Sequence, residues 1–139
     1  MKNNILCDEG QNIWYLSPTE VGSKHDKKMA DEDPLVLPQG SVLKQDLGYE
    51  GHAPVGVEVE IPFKNYKKKP LTFAQRIYNR LLSSIRIPIE HVNSGVKRLR
   101  IVKDRIRIHA YQIRDTLMVV ACGLHNLRVK STCRKYASA

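Results

Sequence analysis

Long apolar runs are missing from this chain. The longest nearly uninterrupted one, Leu117 to Leu124, falls far short of the roughly 20 residues that a membrane-crossing helix needs. The N-terminus, Met1-Lys-Asn-Asn-Ile-Leu-Cys7, reads as a short strand entering a turn and lacks the apolar core of a signal peptide. Cysteine is scarce too: Cys7, Cys122 and Cys133 are widely spaced, with no Cys-x-x-Cys pair. That argues against a zinc site or a disulfide framework and for a reducing interior. The chain is therefore expected to be cytoplasmic, with no membrane partner. No internal repeat is visible, and lysines and arginines are not interleaved with an aromatic platform, which disfavours a ribosomal type of RNA-binding protein.

Acids are nearly absent from the second part of the chain. Residues 1–63 hold 5 Lys+Arg and 11 Asp+Glu, a net of −6, whereas residues 64–139 hold 18 and 3, a net of +15. An acidic part suited to holding a cation thus precedes a basic part suited to lying along a polyanion, of which nucleic acid is the commonest. At 139 residues, with 42% hydrophobic residues and a net charge of +9, the chain has the composition of one modest folded domain.

Along the chain, Asn4–Cys7 and Ile13–Leu16 are β-prone runs flanking Asp8-Glu-Gly-Gln-Asn12, which reads as a hairpin. His25–Asp33 reads as a short exposed helix, with Ser23 a candidate N-cap and Pro34 its end. His25 and Asp26 fit either a metal or acid–base role or a helix start, where an aspartate complements the helix dipole. Ser41–Gln45 reads as a strand, with Asp46 at its C-terminal end before Leu47-Gly-Tyr-Glu-Gly51. Strand ends of this kind favour ligand and catalytic groups, and equally an aspartate that accepts backbone hydrogen bonds in a turn. Val55–Ile61 alternates as a half-exposed strand. Lys64-Asn-Tyr-Lys67-Lys68-Lys69-Pro70 is a basic loop, fit either to grip a phosphate backbone or simply to be solvated.

From Leu71 the pattern turns helical. Thr72 is the candidate N-cap, and Ile77, Leu81, Ile85, Ile89, Val92 and Val96 recur at helical steps as a core stripe. Pro88 predicts a kink or break just before Glu90. Glu90 has Arg86 four residues before it and Lys97 seven after, so one helical face would carry all three, as a surface ion pair or as a site. Arg76, Arg80, Lys97, Arg98 and Arg100 give a basic surface extending to Arg107. Ile101–His109 reads as either a charged connector or more helix. Residues 110–128 read as a last helix with Ile113, Leu117, Val120, Ala121, Leu124 and Leu127 on its core side. His109, His125 and Asn126 call for no special role. Residues 130–139 read as a basic tail without fixed structure.

Read together, Leu16-Ser-Pro-Thr19, Gly22-Ser-Lys-His-Asp-Lys-Lys28, Gln45-Asp46-Leu-Gly-Tyr-Glu-Gly51, Leu71-Thr72, Tyr78–Arg86, Glu90-His91, Val96-Lys97-Arg98 and Ala121-Cys-Gly-Leu-His-Asn-Leu-Arg128 resemble the C-terminal part of a DDE transposase catalytic domain. The type is that of bacterial insertion sequences related to the Harbinger transposases, and the resemblance covers nearly the whole chain, residues 1–129.

The resemblance implies an α/β, RNase H-like fold, with a mixed sheet flanked by helices and three acids that bind Mg2+ or Mn2+. It places Asp46 as the second acid and Glu90 as the third. The family spaces a Tyr, an Arg, the Glu and a Lys by two, three and six intervening residues. Arg86, Glu90 and Lys97 match, and Ser83 stands in the place of the tyrosine. His25 and Asp26 match a frequent family motif outside the triad and are carried over as supporting residues. Lys67, Lys68, Lys69, Arg98 and Arg100 would contact DNA. No residue fills the place of the first acid, since Asp8 follows the first strand in the wrong context. The sheet is accordingly expected to be incomplete, and the chain to be a truncated or split-frame fragment with little activity alone. An N-terminal transposase half would supply the first Asp, and the assembly on DNA could be oligomeric. The competing reading is a non-catalytic basic nucleic-acid-binding module.

Overall fold

A computed structural model describes residues 2–103 and 110–137. In chain order its elements are β1 (Ile5–Cys7), β2 (Ile13–Leu16), α1 (Asp26–Glu32), β3 (Val42–Lys44), a one-turn 3-10 helix (Leu47–Tyr49) and β4 (Glu58–Glu60). They continue as α2 (Phe73–Ile85), α3 (Ile87–Val96), α4 (Arg100–Lys103) and α5 (Tyr111–Ala137). The contacts gather into two units, one formed by Met1–Val21 with Ile87–Ala139 and the other by Gly22–Arg86.

In the first unit, β1 and β2 form the expected antiparallel hairpin, with Ile5 opposite Leu16 and a bulge between Leu6 and Cys7. Gln11 closes its turn at a positive φ of 65°, a conformation more often left to glycine or asparagine. Buried Ile13 from β2, Val92 and Val96 from α3, and Met118, Ala121 and Cys122 from α5 make the core. Gly95 lets α3 approach α5 closely, because a Cβ there would run into the His125 ring. It is a packing position. α5 extends to Ala137, past the point where a tail was expected. Residues 129–137 contain neither Gly nor Pro to stop the helix, and Ser131 and Thr132 donate hydroxyl bonds to Leu127 O and Arg128 O at 2.8 and 3.0 Å.

In the second unit, β3 and β4 pair in parallel, Val42 opposite Glu58 and Lys44 opposite Glu60. α1 starts at Asp26 with His25 in the N-cap position, not Ser23, and the His25 side chain makes no capping bond. Thr72 caps α2 as its sequence predicts: its hydroxyl accepts from Gln75 N, and Gln75 Oε1 accepts from Thr72 N, the reciprocal pair of a capping box. Asn79, one turn and a half along α2, grips Phe63 by both backbone groups, at 2.8 and 2.9 Å.

Among the described residues the strands form two two-stranded sheets, β1 with β2 and β3 with β4. At three or four residues they are short, and the Ile13 N–H and C=O that another strand would meet are met by the Asn126 side chain at 2.8 and 2.9 Å. The architecture is thus mixed α/β with small sheets and several helices.

The apolar stripes also split. Val92 and Val96 are buried, but Ile77, Leu81 and Ile85 are 45%, 59% and 43% exposed, and α2 buries Leu82 instead. α5 buries Met118, Ala121, Cys122 and His125 and leaves Ile113, Val120, Leu124 and Leu127 exposed. With apolar residues on more than one face of each helix, periodicity could not say which face turns inward. The joint expected near Pro88 is present: α2 ends at Ile85 and α3 begins at Ile87, with Pro88 in a first turn where its missing N–H costs nothing. Residues 104–109, and so the question of a connector or further helix, lie outside the described residues. No helix among the described residues is long and apolar enough to cross a membrane.

Candidate functional site

The chemistry-bearing residues of Gly22–Arg86 meet where β3 ends. The last ladder bond runs from Gln45 N to Glu60 O at 2.9 Å. Asp46 then takes an extended backbone and caps the 3-10 turn, its Oδ1 accepting from Leu47 N at 2.7 Å. Its other oxygen, Oδ2, lies 3.3 Å from Arg86 Nη2. Asp46 is therefore both the turn-capping aspartate and an exposed carboxylate at a strand end, the two alternatives its sequence allowed.

Asp26, the first residue of α1, reaches the same turn. A Cβ on Gly48 would stand 2.7 Å from Asp26 Oδ2, so the Asp26 carboxylate lies close against this backbone. Tyr49 registers both acids: burial first, then the charges of Asp26 and Asp46, push its phenol up to about 12. His25 is exposed and borders a neighbouring cavity of about 390 Å³ with Lys27, Asp31, Gly48 and Glu50. Asp31 in that wall accepts from Lys27 Nζ at 2.6 Å and pairs with His52 Nδ1 at 2.8 Å, and these partners hold its carboxyl below the usual range.

The basic loop closes as a tight turn, with Lys69 N donating to Tyr66 O at 3.0 Å. Lys67 and Lys68 stand at its tip, and all three lysines are exposed. Lys64 folds back, 5.5 Å from the Tyr66 ring centre and 3.4 Å from Glu50 Oε2.

In the other unit, Glu90 occupies the first turn of α3, where a carboxylate complements the helix dipole. It is exposed and has no hydrogen bond or ion pair with the described residues. Lys97, Arg98 and Arg100 are exposed as well. Arg86, expected on one helical face with Glu90 and Lys97, stands at the joint between α2, which ends at Ile85, and α3, which starts at Ile87. Within its own unit Arg86 turns to Asp46. Arg105 and Arg107, at the end of the predicted basic surface, lie outside the described residues.

Two residues that the sequence left without a role turn out to organise the first unit. His125, 3% exposed, bonds Gln11 O through Nε2 at 2.9 Å and Arg128 Nη2 through Nδ1 at 3.0 Å. A carbonyl can only accept and a guanidinium can only donate, so Nε2 carries the hydrogen and Nδ1 accepts. Asn126 clamps Ile13 by both backbone groups. The signal available beforehand was their helical spacing from Ala121 and Cys122, which puts His125 on the buried face and demands partners for a buried polar ring.

The carboxylates supply the hard oxygen donors that Mg2+ or Mn2+ prefers, but they do not complete a metal site. Both Asp46 oxygens are engaged by Leu47 N–H and Arg86, and among the described residues no three His, Cys, Asp or Glu side chains gather to hold an ion.

Comparison with known proteins bears on this arrangement. The profile of a family described as DDE superfamily endonuclease matches residues 1–126. A protein of Microchaete diplosiphon described as a probable transposase for insertion sequence element IS702 is 39% identical over 83 residues, which is 58% of this chain and 29% of that relative. The chain thus spans under a third of the length of the curated relative it matches. No solved structure matches it. With the match running from before the hairpin into α5, through Asp46 and Glu90 alike, the chain belongs to the DDE superfamily endonuclease family.

Proposed function

We propose that this chain is part of a transposase-type domain, of RNase H-like ancestry, that cleaves and transfers DNA strands in the cytoplasm. In this reading it contributes two of three carboxylates, Asp46 and Glu90. The observation that carries it is the Asp46–Arg86 pair: an aspartate at a strand end held by the residue that closes α2, four positions before Glu90, inside the stretch matched by the endonuclease family.

Arg86 orients the Asp46 carboxylate, and the close approach of Gly48 sets Asp26 beside the same turn as a supporting acid, with His25 next to it. Glu90, unpaired among the described residues, is available to a partner group. Lys97, Arg98 and Arg100, with Lys67, Lys68 and Lys69, supply a grip on the DNA backbone that is independent of sequence and weakens with salt. Endonucleases of this superfamily work with divalent metal, and Mg2+ or Mn2+ is the cofactor of this reading. The first acid comes from an N-terminal transposase segment outside this chain, and the assembly on DNA is oligomeric.

A magnesium-dependent nicking assay on supercoiled plasmid tests it. The chain alone binds DNA without efficient nicking, and nicking appears on addition of a polypeptide carrying the family's first acid and disappears again with Glu90→Gln or Asp46→Asn. Robust nicking by the chain alone, abolished by Glu90→Gln, would overturn the split of the acids. DNA binding that stays without nicking in every combination favours a non-catalytic basic module, the reading in which Asp46 is only the cap of its turn.

A further inference from the structure

We propose that the first unit carries a phosphate site of its own, apart from Asp46 and Glu90, that takes a backbone phosphodiester of nucleic acid. It is the cavity of about 430 Å³ between the hairpin turn, α3 and α5, whose walls include Gln11, His91, Arg98, His125, Arg128 and Thr132. No carboxylate is among its lining residues, so two guanidinium groups face a concavity with nothing in its wall to neutralise them. A concave wall of one charge sign concentrates the field on a counter-ion inside it.

Arg128 is held in place by design of its surroundings. Gln11 O fixes the hydrogen of His125 on Nε2, which leaves Nδ1 to accept from Arg128 Nη2 at 3.0 Å. That bond uses one of five guanidinium donors, and it orients the group without cancelling its charge, as a carboxylate would. Pre-orientation by a neutral acceptor is what a bidentate hold on phosphate requires. Gln11 Nε2 likewise donates toward His91 Nδ1 at 3.5 Å, which directs the remaining His91 hydrogen to Nε2, as a further donor. Glycines at two wall positions, Gly10 and Gly95, keep the cavity open to an approaching backbone. Arg98 is a DNA contact in the reading above; Arg128 and His125, the latter as a positioning residue, are new to it.

This inference rests on the chain's meeting DNA and on nothing about cleavage. The test measures duplex binding by the full chain as a function of salt, using fluorescence anisotropy, for the unmodified protein and for Arg128→Gln, Arg98→Gln, His125→Leu, His125→Gln and the charge-matched control Lys28→Gln. A second arm follows the imidazole NMR signals of His91 and His125 on addition of inorganic phosphate.

Arg128→Gln and Arg98→Gln should each weaken binding about tenfold near 0.1 M salt and flatten the logarithmic salt slope by about one unit, with Lys28→Gln changing it less. His125→Leu should lose part of the affinity and His125→Gln recover it, since a glutamine can both donate to Gln11 O and accept from Arg128. Duplex binding unchanged by both arginine variants would overturn the site and leave the DNA reading standing. Phosphate shifts at His91 in a chain that binds no duplex would overturn the nucleic-acid assignment in favour of a free anion. Absence of both would overturn this inference and the DNA reading together.

Discussion

Asp46 Oδ2 and Arg86 Nη2 stand 3.3 Å apart, although 40 positions separate them in the sequence. The end of a strand and the end of a helix are pinned by one partly exposed ion pair, so its role is orientation more than stability. A double-mutant cycle with Asp46→Asn and Arg86→Gln, read by urea unfolding, should give a coupling below about 1 kcal/mol that shrinks further with salt. A coupling several times larger would mean that the pair is a structural keystone.

Tyr49 offers a direct readout of the two acids beside it. Its phenol, raised to about 12 by burial, then Asp26, then Asp46, should appear as a late step in tyrosinate absorbance. Asp26→Asn and Asp46→Asn should each bring that step to lower pH, and Tyr49→Phe should remove it. The folded chain keeps this proton at pH values where the unfolded chain, with its phenol near 10, has released it. The stabilisation is therefore whole below about pH 10 and lost as the pH rises through about 12. A Tyr49 step that ignores both substitutions would contradict the geometry around Gly48.

The asparagine clamps should be costly to lose. Asn126→Ala strips two hydrogen bonds from Ile13, and Asn79→Ala two from Phe63. Each should lower unfolding stability by about 1–3 kcal/mol, with amide exchange at Ile13 or Phe63 rising selectively. Exchange unchanged at those amides would show that water replaces the clamp without penalty.

Gly95→Ala should destabilise by about 1–3 kcal/mol, because the new methyl group enters the space of the buried His125 ring. Adding His125→Ala should recover part of the loss, a sign of direct steric coupling. Additive losses, measured in the same unfolding experiment, would place the strain elsewhere.

Local chemistry was legible in the sequence wherever one residue decides the outcome. Thr72 with Gln75 fixes the start of α2, Pro88 fixes the joint before Glu90, and Asp46 falls at a strand end as read. Burial was less legible, because α2 and α5 carry apolar residues on several faces. Leu82 is buried where Leu81 was expected, and Ala121 and Cys122 are buried with exposed Val120 and Leu124 on either side. The partners of polar residues were least legible. Nothing near Asn126 in sequence points to Ile13, nor near Arg86 to Asp46, because such pairings are set by tertiary packing and not by spacing along one element. Spacing along the chain also assumes an unbroken helix, and the break between α2 and α3 falls on Arg86 itself.

The clamp between Ile13 and Asn126 spans 113 residues, and this fixes an order of events at the ribosome. Gly22–Arg86 can close its own contacts as soon as it has emerged, whereas the β1–β2 hairpin finds α5 only after all the residues between them have been made. Contacts of such sequence separation form slowly, since a long loop must close before any of them is gained. The hairpin strands are made well before the helix that covers them, and until that helix arrives their edges need shielding from other nascent chains.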